Sequence, residues 1–138
     1  MKKVLLTGFI FFVSVNLLCD EAFALKKSRL REWGQESMKK INGDFRLPNG
    51  LYCKTLSDRT DAYAWGQGIV FGALAAAARV DQSYLAEAEA LADLIQTNYW
   101  CTSGGLSAYN ASAGGCGDRY TDDNAWIVLA MLELYDIT

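Results

Sequence analysis

The sequence predicts an all-α fold, an incomplete α/α toroid in which about four helices follow one another in the order outer, inner, outer, inner. Helical segments that are apolar on one side alternate with segments that are apolar on nearly every side. Long connections lead into the two wholly apolar segments and a very short one leaves the first of them, so both long loops are expected on one rim. Strand-like alternation does not compete with this pattern, although residues 50–55 could form a short extended piece.

The first predicted helix, residues 26–41, has one apolar face and should lie on the outside of the fold. Its apolar stripe is formed by Leu30, Trp33, Met38 and Ile41, and Gly43 and Pro48 are expected to end the helix soon afterwards. The second predicted helix, residues 63–80, is rich in alanine and glycine and apolar on nearly every face. We therefore expect it to be buried all round, with neighbouring helices close to its small side chains.

The third predicted helix, residues 83–99, is amphipathic, with Leu85, Ala88, Ala92 and Ile95 on its buried side. The fourth begins at Asp122 or Asp123, ends near residue 136 and is again apolar around most of its circumference. Two pairs of outer and inner helices cannot close a ring of six pairs. The sequence therefore predicts an incomplete toroid, either part of a longer gene product or a truncated copy.

Residues 1–24 have the features of a bacterial-type secretory signal peptide. Lys2 and Lys3 form a basic start, an apolar stretch follows, and Ala22-Phe23-Ala24 has the spacing of a signal-peptidase site. Cys19 suggests lipoprotein processing as an alternative, but the bulky Leu18 before it argues against that. We expect cleavage after Ala24, a single domain at residues 25–138, and a secreted or periplasmic product with no later membrane span.

The composition excludes several classes of function. The chain of 138 residues has a net charge of −3 and contains no histidine. Without histidine, Ser–His and Cys–His catalysis cannot occur within the chain, and a zinc site is disfavoured. A mildly acidic chain without a basic cluster is also a poor ligand for nucleic acid. We therefore expect no metal, no cofactor and no nucleic-acid partner.

Three cysteines remain after signal removal, namely Cys53, Cys101 and Cys116. An oxidising compartment permits a disulfide bond. Cys101 and Cys116 bracket one loop and are the favoured pair, which leaves Cys53 as the odd thiol. Because sequence alone does not fix connectivity, three buried, unreacted thiols remain the alternative.

Asp122 and Asp123 are the candidate catalytic residues. They stand where a glycine-rich loop meets the fourth helix, so a rigid element would hold two carboxyl groups close together. A helix N-terminus favours an ionised carboxylate, whereas a second carboxyl beside it is opposed by like charge and desolvation. That difference suits a nucleophile and an acid/base, and retaining glycosidases need the two groups only ~5–5.5 Å apart. Helix capping by the same residues is the plain alternative.

Five other side chains are candidates for substrate binding. Tyr120 and Asn124 flank the two aspartates and could bind sugar hydroxyls or orient the acid, and Trp126 lies within one turn of the aspartates. Trp65, at the start of the other inner helix, should share their rim and could stack on a pyranose face. Core packing is the alternative for Trp65, and for the fifth candidate, Gln67, the alternative is a hydrogen bond to a neighbouring loop.

The segment from Arg119 to Ala130, with the run Asp122-Asp123-Asn124-Ala125-Trp126, resembles the signature of glycoside hydrolase family 76, the α-1,6-mannanases. Gly50-Leu51-Tyr52 and Trp65-Gly66-Gln67-Gly68 resemble the same family. The resemblance extends from about Trp33 to Thr138 and covers roughly the first third of the family's (α/α)6 barrel.

The resemblance implies endo-acting hydrolysis of α-1,6-linked mannan with retention of configuration. It implies that Asp122 is the nucleophile and Asp123 the acid/base, with an α-mannan polysaccharide or oligosaccharide as partner. Because the later helices of the family are missing, the chain could also be an inactive, truncated hydrolase. Two further alternatives are a non-catalytic carbohydrate-binding or remnant toroid protein, and another sugar enzyme of the α/α-toroid type.

Overall fold

The computed structural model describes residues 26–138, so the predicted signal peptide at residues 1–24 lies outside the described residues. The chain divides between Glu36 and Ser37 into two units. The described part of the first unit, residues 26–36, is helical throughout. The second unit, residues 37–138, contains the elements that position the candidate site.

The described residues are mostly helical, as predicted, and form four α-helices. They are α1 (residues 26–45), α2 (Ala64–Val80), α3 (Leu85–Tyr99, preceded by a 3₁₀ turn at Gln82–Tyr84) and α4 (Thr121–Tyr135). Helix α1 extends four residues past its predicted end at residue 41 and passes Gly43, but it ends at residue 45, before Pro48, as expected. Gly43 is exposed, with open space around the position of a Cβ, so it only weakens the helix, by about 1 kcal/mol.

An antiparallel β-hairpin makes the all-α prediction wrong. Its strands are β1 (Trp100–Ser103) and β2 (Leu106–Tyr109), paired so that Trp100 lies opposite Tyr109 and Ser103 opposite Leu106. The connecting residues Gly104 and Gly105 have φ angles of 61° and 78°. A two-residue turn with positive φ at both positions matches the twist of a hairpin and is favourable for glycine. The pair of glycines therefore stabilises two strands of only four residues each.

In the connection from α1 to α2, only Tyr52 and Cys53 of the short extended piece expected at residues 50–55 make β-bridges. Isolated antiparallel bridges join Arg46 to Tyr52 and Cys53 to Asp61. Gly50 has a φ of 87°, and a Cβ there would lie 2.7 Å from the Leu94 side chain. The positive φ favours glycine at this turn, whereas the contact involves only the end of the Leu94 side chain, which can shift.

Helix α2 lies parallel to α4 and antiparallel to α3. Residues near the start of α2 contact residues near the start of α4, as Gly68 does with Ile127, and residues near the ends also contact each other, as Arg79 does through its hydrogen bond to Glu133. The end of α3 returns to the start of α2, where the Tyr99 hydroxyl donates a 2.5 Å hydrogen bond to a main-chain carbonyl. The largest fully buried side chains are Tyr99, Phe71, Leu51, Leu74, Leu91, Ile95, Ile127 and Gln67.

The expectation that α2 and α4 are buried all round is wrong. On α4 only Asp123, Ile127 and Ala130 are buried. Exposed apolar residues of the two helices are Trp65, Ile69, Val80, Trp126, Val128, Leu129, Leu132 and Tyr135. An open groove of about 460 Å³ runs between α2 and α4, and the described elements cover only one side of each helix. Apolar composition predicted burial, but burial also needs a neighbouring element on each face.

The disulfide bond joins Cys101 of β1 to Cys116, with their Cα atoms 5.6 Å apart, and confirms the favoured pairing. Cys53 is a buried free thiol. Among residues 26–138, no helix has both the length and the hydropathy that crossing a bilayer requires.

Candidate functional site

Helix α4 begins without a side-chain cap. Tyr120 occupies the N-cap position in an extended conformation, with φ −107° and ψ 142°, and its side chain makes no capping hydrogen bond. Asp122 and Asp123 lie in the first turn, where the helix dipole favours negative charge. The first turn therefore holds two acids close to main-chain N–H groups that no side chain of the N-cap residue satisfies.

The two adjacent carboxyl groups have different surroundings. Asp122 is exposed, whereas Asp123 lies on the buried side of α4 and is only 6% exposed. Desolvation by burial raises the pKa of Asp123 above its ordinary value, and the negative charge of Asp122 raises it further. Asp123 therefore holds a proton more tightly than an ordinary aspartate does.

This asymmetry has a chemical meaning. Asp122 is exposed in the first turn, so its carboxyl group is accessible to a substrate, as a nucleophile must be. A buried carboxyl with a raised pKa can donate a proton and later accept one. Consecutive residues of a helical turn also stand close enough for the ~5–5.5 Å separation of a retaining pair.

Asn124, a predicted substrate-binding residue, instead holds the hairpin. Its Oδ1 accepts a 2.8 Å hydrogen bond from the Tyr109 main-chain N–H, and its Nδ2 donates 3.0 Å to the Tyr109 carbonyl. Nδ2 also donates 2.9 Å to the carbonyl of Tyr120. The amide thus fixes the main chain at two points that precede the aspartates, Tyr109 and Tyr120.

Gln67 of α2 binds the main chain of a tyrosine in the preceding loop, as Asn124 of α4 does. A hydrogen bond to a neighbouring loop was the alternative expected for this side chain. The side chain is fully buried at 0% exposure. Its Nε2 donates a 2.8 Å hydrogen bond to the Tyr52 carbonyl, and its Oε1 accepts a 3.2 Å bond from the Tyr52 N–H. Both amides hold a tyrosine 15 residues earlier in the chain.

The two contacts belong to an internal structural repeat. Tyr52 and Gln67 in the first half correspond to Tyr109 and Asn124 in the second, at an offset of 57 positions. The N-cap residue of α2, Tyr63, corresponds at the same offset to Tyr120, and both have extended main chain and no capping side-chain bond. Each half thus brings an extended tyrosine segment against the first turn of an apolar helix.

Exposed aromatic side chains surround the N-terminal ends of α2 and α4. Trp65 is 50% exposed and Trp126 is 45% exposed, so neither is a core residue. Tyr63 and Tyr120 are also exposed, and the Lys54 ammonium lies 4.6 Å from the Tyr63 ring centroid. Because α2 and α4 are parallel, these aromatic groups lie toward the same end of the helix pair as the two aspartates.

Sequence reasoning missed Arg119 and the hairpin beside it. The Arg119 guanidinium reaches two carbonyls of the hairpin turn and both disulfide sulfurs. The glycine pair and the cysteine before Arg119 were the available signals, but neither indicates where an arginine side chain will lie. Within residues 26–138, no group of three or more acidic, cysteine or histidine side chains could hold a metal ion.

Comparison of the chain with protein-family models, with curated proteins and with solved structures gives no match. The function is therefore inferred from the geometry around Asp122 and Asp123 together with the sequence resemblance described above.

Proposed function

We propose that the chain is a secreted glycoside hydrolase of the family 76 type, which cleaves α-1,6-linked mannan with retention of configuration. One observation carries the proposal, namely that adjacent acids at the start of α4 differ in burial. Asp122 is exposed, and the buried Asp123 has a raised pKa. This division matches the needs of a nucleophile and an acid/base.

In the first step, Asp123 donates its proton to the glycosidic oxygen while an Asp122 carboxylate oxygen attacks the anomeric carbon. The bond to the leaving sugar breaks, and a mannosyl ester forms on Asp122. Asp123, now ionised, then takes a proton from water, whose oxygen attacks the same carbon and releases Asp122. Two inversions give net retention, and both side chains return to their starting protonation.

The exposed aromatic groups supply the binding surface in this proposal. Trp65 and Trp126 offer ring faces on which a sugar ring can stack, and the exposed Tyr120, two residues before Asp122 in the sequence, offers a hydroxyl. Gln67 and Asn124 act indirectly, since their amides are engaged with main chain. We therefore assign them to holding the loops in place rather than to direct sugar contacts.

The same proposal includes an α/α-toroid arrangement. Three features support it: the parallel α2 and α4, the antiparallel α3, and the repeat that relates the first and second halves. The exposed apolar residues of α4, including Val128, Leu129 and Leu132, also suit a helix that further elements would cover.

A carbohydrate-binding protein without catalysis is the second candidate. The observation that favours it is the exposure of Tyr63, Trp65, Tyr120 and Trp126, because aromatic platforms bind sugars without any acid. Binding of α-1,6-mannan with no release of reducing ends would indicate this function.

The test is to incubate α-1,6-mannan with the wild-type chain and with Asp122→Asn and Asp123→Asn, and to measure reducing ends. We expect the wild type to release oligosaccharides whose first-formed anomer is α, and each variant to be at least ~100-fold slower. Unchanged turnover by Asp122→Asn would remove the nucleophile assignment, and a β product would exclude retention.

A further inference from the structure

The hairpin β1–β2 is tied to the start of α4 at two places, one just before the helix and one in its first turn, on either side of the aspartates in the sequence. Arg119 makes the first tie, to the tip of the hairpin. Asn124 makes the second, to Tyr109 at the base of β2. The four residues between the ties, Tyr120 to Asp123, include both acids.

The Arg119 tie is formed by its guanidinium group. Nη1 donates to the carbonyls of Ser103 at 3.4 Å and Leu106 at 3.1 Å, which flank the glycine turn. Nη2 lies 3.6 Å from the sulfur of Cys101 and 3.7 Å from that of Cys116. The planar guanidinium holds several N–H donors in a fixed arrangement, so it can contact these four acceptors at once. A lysine ammonium lacks that arrangement.

The first turn of α4 depends on such external ties. Its N-cap residue, Tyr120, provides no side-chain hydrogen bond to the turn. A helix start without a cap takes its direction from the preceding chain, and the residue immediately before the N-cap is Arg119. The disulfide at Cys116 holds that preceding chain against β1.

We infer that the hairpin is a brace that sets the position of the first turn of α4, and with it that of both carboxyl groups, with Arg119 as its positioning residue. Only the catalytic role of the two acids comes from the proposed function; the bracing itself does not depend on it. Arg119 acts through the main chain and is not itself a catalytic residue. Its replacement should move both carboxyl groups and leave the α2–α3 core unchanged.

The test compares Arg119→Ala and Arg119→Lys with wild type by NMR of the Asp122 and Asp123 carboxyl carbons and by amide hydrogen exchange. We expect Arg119→Ala to shift both carboxyl signals and to speed exchange of the Tyr109 and Asn124 amides roughly tenfold. Arg119→Lys should restore part of each effect, because one ammonium reaches fewer of the acceptors.

Arg59→Ala is the matched control. Arg59, in the loop between α1 and α2, also donates to two main-chain carbonyls, those of Asp44 in the last turn of α1 and Arg46 just after it. This variant should leave the carboxyl signals unchanged. Unmoved carboxyl signals in Arg119→Ala, or equal shifts in Arg59→Ala, would overturn the inference. If Arg119→Ala does not fold, the Arg119→Lys spectrum decides by the same criterion.

A kinetic measurement separates the brace from the proposed function. If the wild type turns over α-1,6-mannan, Arg119→Ala should lower kcat by roughly 100-fold with little change in KM. Misplaced acids slow the chemical step, whereas the aromatic side chains on which the sugar stacks are unchanged. A change confined to KM would contradict a positioning role. Absence of wild-type turnover would overturn the proposed function, whereas the NMR measurement would still decide on the brace.

Discussion

The side-chain amide of Asn124 satisfies both main-chain polar groups of Tyr109, its Oδ1 accepting from the N–H and its Nδ2 donating to the carbonyl. This pairing attaches the last residue of β2 to the first turn of α4. Gln67 makes the same pairing with Tyr52 in the other half of the repeat. Two buried or partly buried amides therefore fix the loops that surround the candidate site.

Asn124→Ala should lower the free energy of unfolding by roughly 1–3 kcal/mol, because the Tyr109 N–H and carbonyl lose their side-chain partner. Gln67→Ala should cost at least as much, since Gln67 is fully buried. Urea denaturation measures both. The control is Asn98→Ala, whose amide only donates to the Leu94 carbonyl within α3. A loss in Asn98→Ala as large as that in Asn124→Ala would contradict this interpretation.

Gly68 sets the separation of α2 and α4. A Cβ at Gly68 would lie 3.1 Å from the Trp126 Cβ and 3.2 Å from the Ile127 main-chain nitrogen. Gly68→Ala should therefore destabilise the chain by roughly 1–3 kcal/mol through overpacking.

The matched variant for this prediction lies one turn further along α2. A Cβ at Gly72 would be 3.8 Å from the Ala130 Cβ, an ordinary contact. Gly72→Ala should stabilise by up to about 1 kcal/mol, because alanine favours a helix. Thermal unfolding of the two variants should give shifts of opposite sign, and equal shifts would show that Gly68 is no close-packing point.

The Cys101–Cys116 disulfide bond should contribute about 3 kcal/mol to stability, as expected for a bridge across a loop of this length. The two cysteines are 15 residues apart in the sequence. A reducing agent should therefore lower the urea midpoint of the wild type but not that of the double variant Cys101→Ser/Cys116→Ser. A wild-type midpoint that is insensitive to reduction would contradict the prediction.

Asp123→Asn should raise stability at neutral pH. Burial and the charge of Asp122 raise the pKa of Asp123 in the folded chain above its unfolded value. The folded chain therefore binds the proton more tightly, so stability falls as pH rises from the unfolded pKa through the raised folded pKa. Asparagine carries no charge that could be lost or gained over this pH range. The free energy of unfolding of Asp123→Asn should therefore exceed that of the wild type at pH 7, and the difference should vanish well below the ordinary aspartate pKa.

Urea unfolding at neutral and acidic pH measures this difference. Asp93→Asn, at an exposed position of α3, is the control and should give similar small changes at both pH values. A stability gain of Asp123→Asn that persists unchanged at acidic pH would show that its charge is not the cause.

The helices could be predicted from the sequence because their periodicity is a local property. The prediction of residues 63–80 differs from α2 by one residue at its start, and the fourth helix begins one or two residues before its predicted start. The aspartate pair was located correctly at a helix start for the same reason. The favoured cysteine pair was also predictable, because both residues flank one loop.

The remaining features depend on contacts that are distant in sequence. The hairpin has strands of only four residues, and its stability rests on the Gly104-Gly105 turn and on pairing across it. The partners of Gln67 and Asn124 lie 15 residues away, so a polar side chain in an apolar helix did not reveal its acceptor. Exposure of Trp126 and Leu129 could not be predicted either, because composition does not say which faces are covered.

The proposed function requires that the Asp122 carboxylate attack the anomeric carbon of an α-mannoside. The most direct measurement is mass spectrometry of the chain after incubation with a 2-deoxy-2-fluoro-mannosyl fluoride, which slows release of the covalent sugar. We expect one fluoromannosyl group on the peptide that contains Asp122, and none in Asp122→Asn. A label on another residue, or equal labelling of wild type and Asp122→Asn, would contradict this expectation.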